Sequence, residues 1–387
     1  MMQEVLQEVL AEHFEVTSSS VRIHSSNIHS DGPIYGFEIL GLHEATFVYA
    51  QVSSTEWRSA EFQIHLPEFE TWIRLWRFPN DPYLHGLALV AVKPALLTLL
   101  KKLDSRFDIL DVKNVTYRPG KRAVFRIATN FGVFFVKVTT KSNVNRILEV
   151  QKVIQTKVKT AELIGIANED VLIFKEYQGD DFLTSDVDME KLVSGILQFQ
   201  RTLEKIPTEI EAKRKVILNY EWYVSLLRSH LDSEALAIVE KSLNVEPNFP
   251  ESGEKRFIHG DFHLGQLKFE QSDFGVLDFD NAGLGHLAED QATLLATCFF
   301  GFVINQNNSA GQKYAEFLTA WISRLQSSGD LTLMKQLTAR HIVAFWASFP
   351  SQVHTRERLL LEFLEVLSQN DENFLILTSS LLHTYRT

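Results

Sequence analysis

Cysteine is nearly missing from the chain, Cys298 being the only one. A single thiol excludes an intramolecular disulfide and any zinc site built on paired cysteines. Long apolar runs are missing too. The most apolar one, Leu294 to Ile304, is far shorter than the roughly 20 residues a helix needs to cross a bilayer. The opening MMQEVLQEVLAEHFE is acidic and amphipathic, unlike the basic start and apolar centre of a signal peptide. Positive charge is also in short supply: 38 Lys and Arg face 49 Asp and Glu, for a formal charge of -11. No extended basic patch is present to hold a nucleic-acid backbone. The expectations are a cytoplasmic protein with no nucleic-acid and no membrane partner. What remains is ordinary in composition, with 45 % apolar and 22 % charged residues. The 387 residues suffice for two or three domains at roughly 100 to 200 residues each.

One stretch departs from that ordinary background. Residues 257–290 read FIHGDFHLGQLKFEQSDFGVLDFDNAGLGHLAED, with Asp261, Asp278, Asp280, His259, His263 and Gln266 set among short apolar runs. An unpaired carboxylate is costly to bury, so acidic residues recurring in β-like segments call for water or a cation. Gln266–Phe269 and Gly275–Phe279 read as two short strands joined by a turn at 271–274. A turn centred near Ser272 would place Gln266 opposite Asp278, close enough to share one ion. Asp280 would share the face of Asp278 if the strand continued, with Phe279 pointing away. Gly260 gives the His-Gly-Asp turn its backbone freedom. Oxygen donors of this kind suit Mg²⁺ bound partly through substrate phosphates.

HGDFHLGQ followed by LDFD resembles the catalytic and metal-binding segments of the aminoglycoside phosphotransferase and choline kinase superfamily, small-molecule kinases with the protein-kinase fold. The resemblance implies that Asp261 orients and deprotonates a substrate hydroxyl and that Asp278 is the principal Mg²⁺ ligand. Gln266 takes the place of a metal-binding residue that is usually asparagine, and its extra methylene should shift the metal geometry. The HLGQ form is also similar to maltokinase-type sugar kinases. Asp290 resembles the aspartate that steadies the active-site loop through hydrogen bonds. His259 is expected to be a buried orienting residue. His263 could approach the acceptor or phosphate, or serve as support; Asp280 could touch a second ion or stand solvated.

Upstream, the best β-pattern in the chain runs through Ile109–Tyr117, Ala123–Ala128 and Val133–Thr139, with hairpin turns between them. The third strand carries Lys137 in its interior, where a lysine needs a partner unless the strand is an edge. The resemblance implies that Lys137 holds the α- and β-phosphates of ATP and pairs with a glutamate of the next helix, predicted at Asn145–Lys159. Glu149 is the first choice and Glu162 the second. The turn Tyr117-Arg118-Pro119-Gly120-Lys121-Arg122 has one glycine only, so it lacks the multi-glycine loop of protein kinases. Gly120 with its amides, Lys121 and Arg122 could meet a phosphate; a solvated hairpin turn is the plain alternative. VLIFKEY at 171–177 resembles the interlobe strand, which implies main-chain recognition of adenine by Glu176 and Tyr177.

The expected fold is α+β and protein-kinase-like, in two lobes. Residues 1–104 would form a small N-terminal α+β extension, 105–180 an antiparallel-sheet lobe and hinge, and 181–387 a helical lobe. Within the extension, WRFPNDPYLHGL at 76–87 reads as a rigid packed loop or a substrate cap. It is similar to a segment ahead of the kinase-like lobes in some members of the superfamily. The implied activity is ATP- and Mg²⁺-dependent transfer to a hydroxyl of an amino sugar, aminoglycoside, sugar or amino alcohol. Two alternatives stay open: a nucleotide-binding protein without transfer, and a metal-assisted hydrolase.

Overall fold

A computed structural model describes residues 2–41, 46–57, 62–213, 220–228, 230–243, 247, 249, 255–271, 273–325, 331–353, 355–369 and 371–385. Ser272, about which the expected turn is centred, lies outside these, as do Leu42, Glu61, Val216 and Pro250. The chain is α+β, as expected, and forms two compact units. The first holds 1–146 and 162–176, the second 147–161 and 177–387.

The first unit contains two five-stranded antiparallel sheets. Helix α1 (Met2–His13) precedes strands β1 (Val21–Asn27), β2 (Ile34–Ile39), β3 (Thr46–Ser53), β4 (Gln63–Leu66) and β5 (Thr71–Arg77), in the order β1-β2-β3-β5-β4. Leu6 and Leu10 on one face of α1 close its core with Phe37, Val48, Ala50 and Ile73. Val92, in an extended conformation ahead of Pro94, divides α2 (Leu87–Ala91) from α3 (Lys93–Lys101). Proline is tolerated there because the first turn of a helix has no internal partner for its N–H.

The second sheet is β6 (Ile109–Arg118), β7 (Arg122–Thr129), β8 (Gly132–Thr139), β9 (Leu163–Asn168) and β10 (Val171–Lys175), in the order β6-β7-β8-β10-β9. The burial of β7 alternates along its whole length, with Ala123, Phe125 and Ile127 inward. These pack with Phe134, Val136, Val138, Val171 and Ile173, and also with Leu84, Leu87, Val90, Leu96, Leu99 and Leu100. The core of this sheet therefore continues across the expected division at 104/105.

After β8, helix α4 (Lys141–Ile154) starts four residues earlier than its expected position. The second unit is largely helical. Its helices are α5 (Met189–Leu203), α6 (Tyr220–Leu227), α7 (Ser233–Leu243), α8 (Leu287–Ile304), α9 (Ser309–Leu325), α10 (Leu331–Ser348), α11 (Pro350–Val353), α12 (Glu357–Leu367) and α13 (Asp371–Thr384). Asp188 caps α5 by accepting from the amide of Lys191 at 2.8 Å. Helix α8 packs against α9 and α10. By length and composition α8 could cross a membrane, but 83 % of it is buried inside the protein, the mark of a core helix. Short strands β11 (Asp180–Asp181), β13 (Leu267–Glu270) and β14 (Asp273–Val276) form one small sheet, and β12 (Arg256–Ile258) pairs with β15 (Gly283–Gly285) in another.

Candidate active site

The two-stranded ribbon places the acidic residues. Ile258 is paired with Gly283, so the chain leaving β12 through His259-Gly260-Asp261 emerges at the same end at which Asp278-Phe279-Asp280-Asn281-Ala282 enters β15. Two sequence-distant carboxylates thus come from loops at one end of a short antiparallel pair.

The His-Gly-Asp turn is fixed from below by α8. The carboxylate of Asp290 accepts from the amides of His259 at 2.8 Å and Gly260 at 2.7 Å. Gly260 has φ +78°, and a Cβ there would stand 2.4 Å from the Asn281 carbonyl oxygen. Glycine is required both for the conformation and for the close approach of the two loops. Asp290 is 1 % exposed. Burial pushes its carboxyl up to about 7, against the pull of the two amides and with a further upward push from Glu289 and Asp261. Asp290 therefore fixes the turn from the helix by accepting from two successive amides.

His259 ties the turn to the other loop. Its Nε2 lies 2.9 Å from the carbonyl oxygen of Leu277, and since a carbonyl only accepts, Nε2 carries the hydrogen. The ring is fully buried and stands 4.5 Å from that of Phe279. Desolvation lowers its pKa to about 4, which the Leu277 hydrogen bond and the nearby Asp278 charge only partly oppose. His259 thus holds Leu277, the residue just before Asp278, through a buried hydrogen bond.

The hairpin departs from the expected register. Leu267 pairs with Val276 and Glu270 with Asp273, so the connection is the two residues 271–272, with Gln271 at φ +57°. Gln266 then faces Leu277, whose amide donates to its carbonyl at 2.9 Å, and not Asp278. Asp278 lies beyond the strand at φ +61°, ψ +56°, a left-handed conformation that aspartate tolerates better than most residues. A 3₁₀ turn at Phe279–Asn281 follows, so Asp280 does not share a strand face with Asp278. Phe279 is buried, as expected.

Gln266 closes a 3₁₀ turn, Leu264–Gln266, and is 6 % exposed. Its Oε1 is buried with no hydrogen-bond partner. An orphaned amide oxygen is rare in a folded interior and is suited to a cation, so the donors here, Gln266 and the carboxylate of Asp278, fit Mg²⁺. No group of three or more His, Cys, Asp or Glu that could hold a metal by itself is present among the described residues. Asp261 and His263 are both half-buried.

The remaining predicted residues are distributed over both units. In the first, Lys137 is 8 % exposed on β8, between Val124 of β7 and Leu172 of β10. Strand β8 is central, which removes the edge-strand explanation for this lysine. Glu176 pairs with Arg126 at 3.4 Å, and its amide already donates to the Val133 carbonyl at 3.0 Å. Lys121 and Arg122 follow the β6–β7 turn and are half-buried.

Gly120 is a correction. Its amide donates to the buried carboxylate of Asp81 at 2.7 Å, and the next amide, of Lys121, bonds the Arg118 carbonyl at 3.0 Å, so the turn offers neither to a phosphate. In the sequence Asp81 is a loop acid between Pro79 and Pro82, with nothing to mark it as buried. In the second unit, Tyr177 lies against Gly275. Glu149 is exposed on α4, whose inward positions are Val144, Ile147, Val150, Gln151 and Ile154. It makes no hydrogen bond or ion pair among the described residues. Glu162 is exposed as well.

No curated protein matches the chain. Among solved structures it is similar to a spectinomycin phosphotransferase in complex with ADP and spectinomycin, at 13 % identity over 76 % of this chain and 98 % of that one, TM-score 0.45. It is similar to the streptomycin-ATP-APH(2'')-IIa ternary complex at 13 % identity over 72 % and 97 %, TM-score 0.43. A choline kinase from Cryptosporidium parvum Iowa II matches at 9 % identity over 76 % and 94 %, TM-score 0.40. The family that the HGD and LDFD motifs resemble is also the one whose model the chain matches: residues 178–324, which contain both motifs, fit the phosphotransferase enzyme family, APH.

Proposed function

We propose that this chain is a small-molecule kinase that moves the γ-phosphate of ATP to a hydroxyl of an amino sugar, aminoglycoside, sugar or amino alcohol. The observation that carries the reading is the clamp of Asp290 on the His259 and Gly260 amides, which presents Asp261 at the end of the ribbon where Asp278 also emerges. Asp261 aligns the acceptor hydroxyl and receives its proton as the bond to phosphorus forms. Its pKa does not have to be high, because the hydroxyl becomes acidic only late in transfer. Asp278 and Gln266 would hold Mg²⁺, which when bound supplies charge to offset that of the phosphates. Lys137 is assigned the α- and β-phosphates. Most of the rate would come from positioning and charge stabilisation. The acidic balance of the chain leans toward a cationic acceptor, and a cytoplasmic location is proposed with it.

The test is ADP formation from ATP and Mg²⁺ across a panel of hydroxyl acceptors. Acceptor-dependent ADP release by the native protein, lost in Asp261→Asn with ATP binding retained, is the expected result. A second reading, nucleotide binding without transfer, draws on the exposure of Glu149. It predicts ATP binding with no acceptor-stimulated ADP in any member of the panel. Phosphate release or ester cleavage with no acceptor present would instead favour the hydrolase.

A further inference from the structure

The turn between β6 and β7 is held by a carboxylate that the proposed reaction leaves unused. Asp81 is 4 % exposed. Its Oδ2 accepts from the Gly120 amide at 2.7 Å and from the Tyr117 hydroxyl at 2.8 Å, while Oδ1 accepts from the Tyr83 amide at 2.8 Å. The Tyr117 oxygen in turn accepts from the indole N–H of Trp76 at 3.1 Å. Each donor is matched by an acceptor, so the group is a closed network rather than a chance contact.

The tip of the turn is covered as well as bonded. Pro119 and Gly120 are both buried. Gly120 sits at φ +70°, and a Cβ there would meet Ile34 Cδ1 at 2.8 Å, His29 Cδ2 at 3.2 Å and Tyr83 Cδ2 at 3.3 Å. Tyr83 is anchored too: its hydroxyl lies 2.9 Å from Asp31 Oδ2 and 2.8 Å from Oε1 of the fully buried Gln51. His29 packs on the Tyr83 ring at 4.1 Å. The first sheet thus closes over a tip that would otherwise be a free hairpin.

We infer that Asp81 is a positioning residue for nucleotide phosphates, fixing the β6–β7 turn so that Lys121 and Arg122 are delivered from a rigid tip instead of a mobile glycine flap. This rests on the phosphotransferase reading, and it gives residues 1–104 a task in nucleotide affinity. An unfixed turn would be competent for only a fraction of the time, and apparent affinity falls by that fraction.

The experiment is calorimetric titration of native protein, Asp81→Asn and Tyr117→Phe with Mg²⁺-AMP-PNP and, separately, with adenosine, together with amide exchange over 117–122. For Asp81→Asn, AMP-PNP affinity should fall about tenfold, on the assumption that the turn is then held about a tenth of the time. Adenosine affinity should hold, and exchange at Gly120 should accelerate. Tyr117→Phe, which leaves the Gly120 bond in place, should show a smaller loss of the same kind and keeps the test available if Asp81→Asn does not fold. Unchanged AMP-PNP affinity in a folded Asp81→Asn, or equal losses for AMP-PNP and adenosine, would overturn the inference while leaving the phosphotransferase reading in place. Native protein that binds neither ligand would overturn both.

Discussion

The same device appears once in each unit. In the second, Asp290 accepts the amide of Gly260 at φ +78°; in the first, Asp81 accepts the amide of Gly120 at φ +70°. Both are buried carboxylates gripping a left-handed glycine at the bend of a loop that the sequence reading singled out. They differ in what carries them. Asp290 belongs to α8, a core helix whose start is fixed by the reciprocal cap of His286 and Glu289. Asp81 belongs to a loop and depends on Tyr83, Tyr117 and Trp76 to hold it in place. A grip built on a buried helix should serve chemistry that tolerates no drift, and one built on a loop should serve binding.

Substitutions at and around the two grips should separate those tasks. The largest effect is expected at Asp261, the residue presented by the first grip: Asp261→Asn should lower acceptor-dependent turnover by at least about 100-fold while ATP affinity stays near native. Equal turnover in the variant would remove Asp261 from its role. Asp290→Ala should follow, because the buried His259 amide and the part-buried Gly260 amide lose their acceptor, at about 1–3 kcal/mol for the buried one. Turnover and the thermal midpoint should therefore drop together, whereas Asp81→Asn should spare turnover at saturating ATP. If both variants lost only affinity, the distinction between the grips would fail.

A smaller effect is expected from Gln266→Leu, which keeps the bulk and removes the orphaned Oε1. The Mg²⁺ concentration that half-saturates AMP-PNP binding should rise by about tenfold, a typical loss on removing one contributor to a metal site. An unchanged Mg²⁺ requirement would leave that oxygen without a function.

The smallest effect is in the pH profile. The pKa of His259 is lowered in the fold, so its contribution to stability is full above its ordinary value of 6.5 and is lost as pH falls toward about 4. Asp290 runs the other way. Its pKa is raised, so its contribution is full below 3.8 and is lost as pH rises through about 7. The two slopes oppose each other between about 4 and 6.5, so the native thermal midpoint should change little there, whereas that of His259→Gln should fall as pH rises and that of Asp290→Asn should fall as pH drops. Variants as flat as the native protein would show that neither group titrates as its burial requires.

How much of this was legible in the sequence differs by region. The strands β6–β8 were readable to within one or two residues at each end. His259, Asp261, Gln266 and Asp278 stand in two short motifs, with Asp290 shortly beyond them, so all five could be named as candidates from the sequence. Register was not readable. A two-residue connection at 271–272 in place of a longer turn moved Gln266 from Asp278 to Leu277, and side-chain direction in a ribbon reverses with each residue. The bounds and inward face of the helix that carries Glu149 were not legible either. The helix begins at Lys141, and its inward stripe is decided by packing that local spacing does not specify. Asp81 was beyond reach because its grip on Gly120 spans 39 residues, and a loop acid reads as solvated until its partners are in place.

The leucines of α2 and α3 have a practical corollary. They supply one wall of the interior that β7, β8 and β10 line from the other side. A fragment trimmed to begin at residue 105 would carry its sheet with that wall stripped away and an oily surface bared to water, a recipe for clumping. The shortest excisable piece should therefore start ahead of Leu84, and lineages that shuffle this catalytic module would be expected to carry the helical pair along with it.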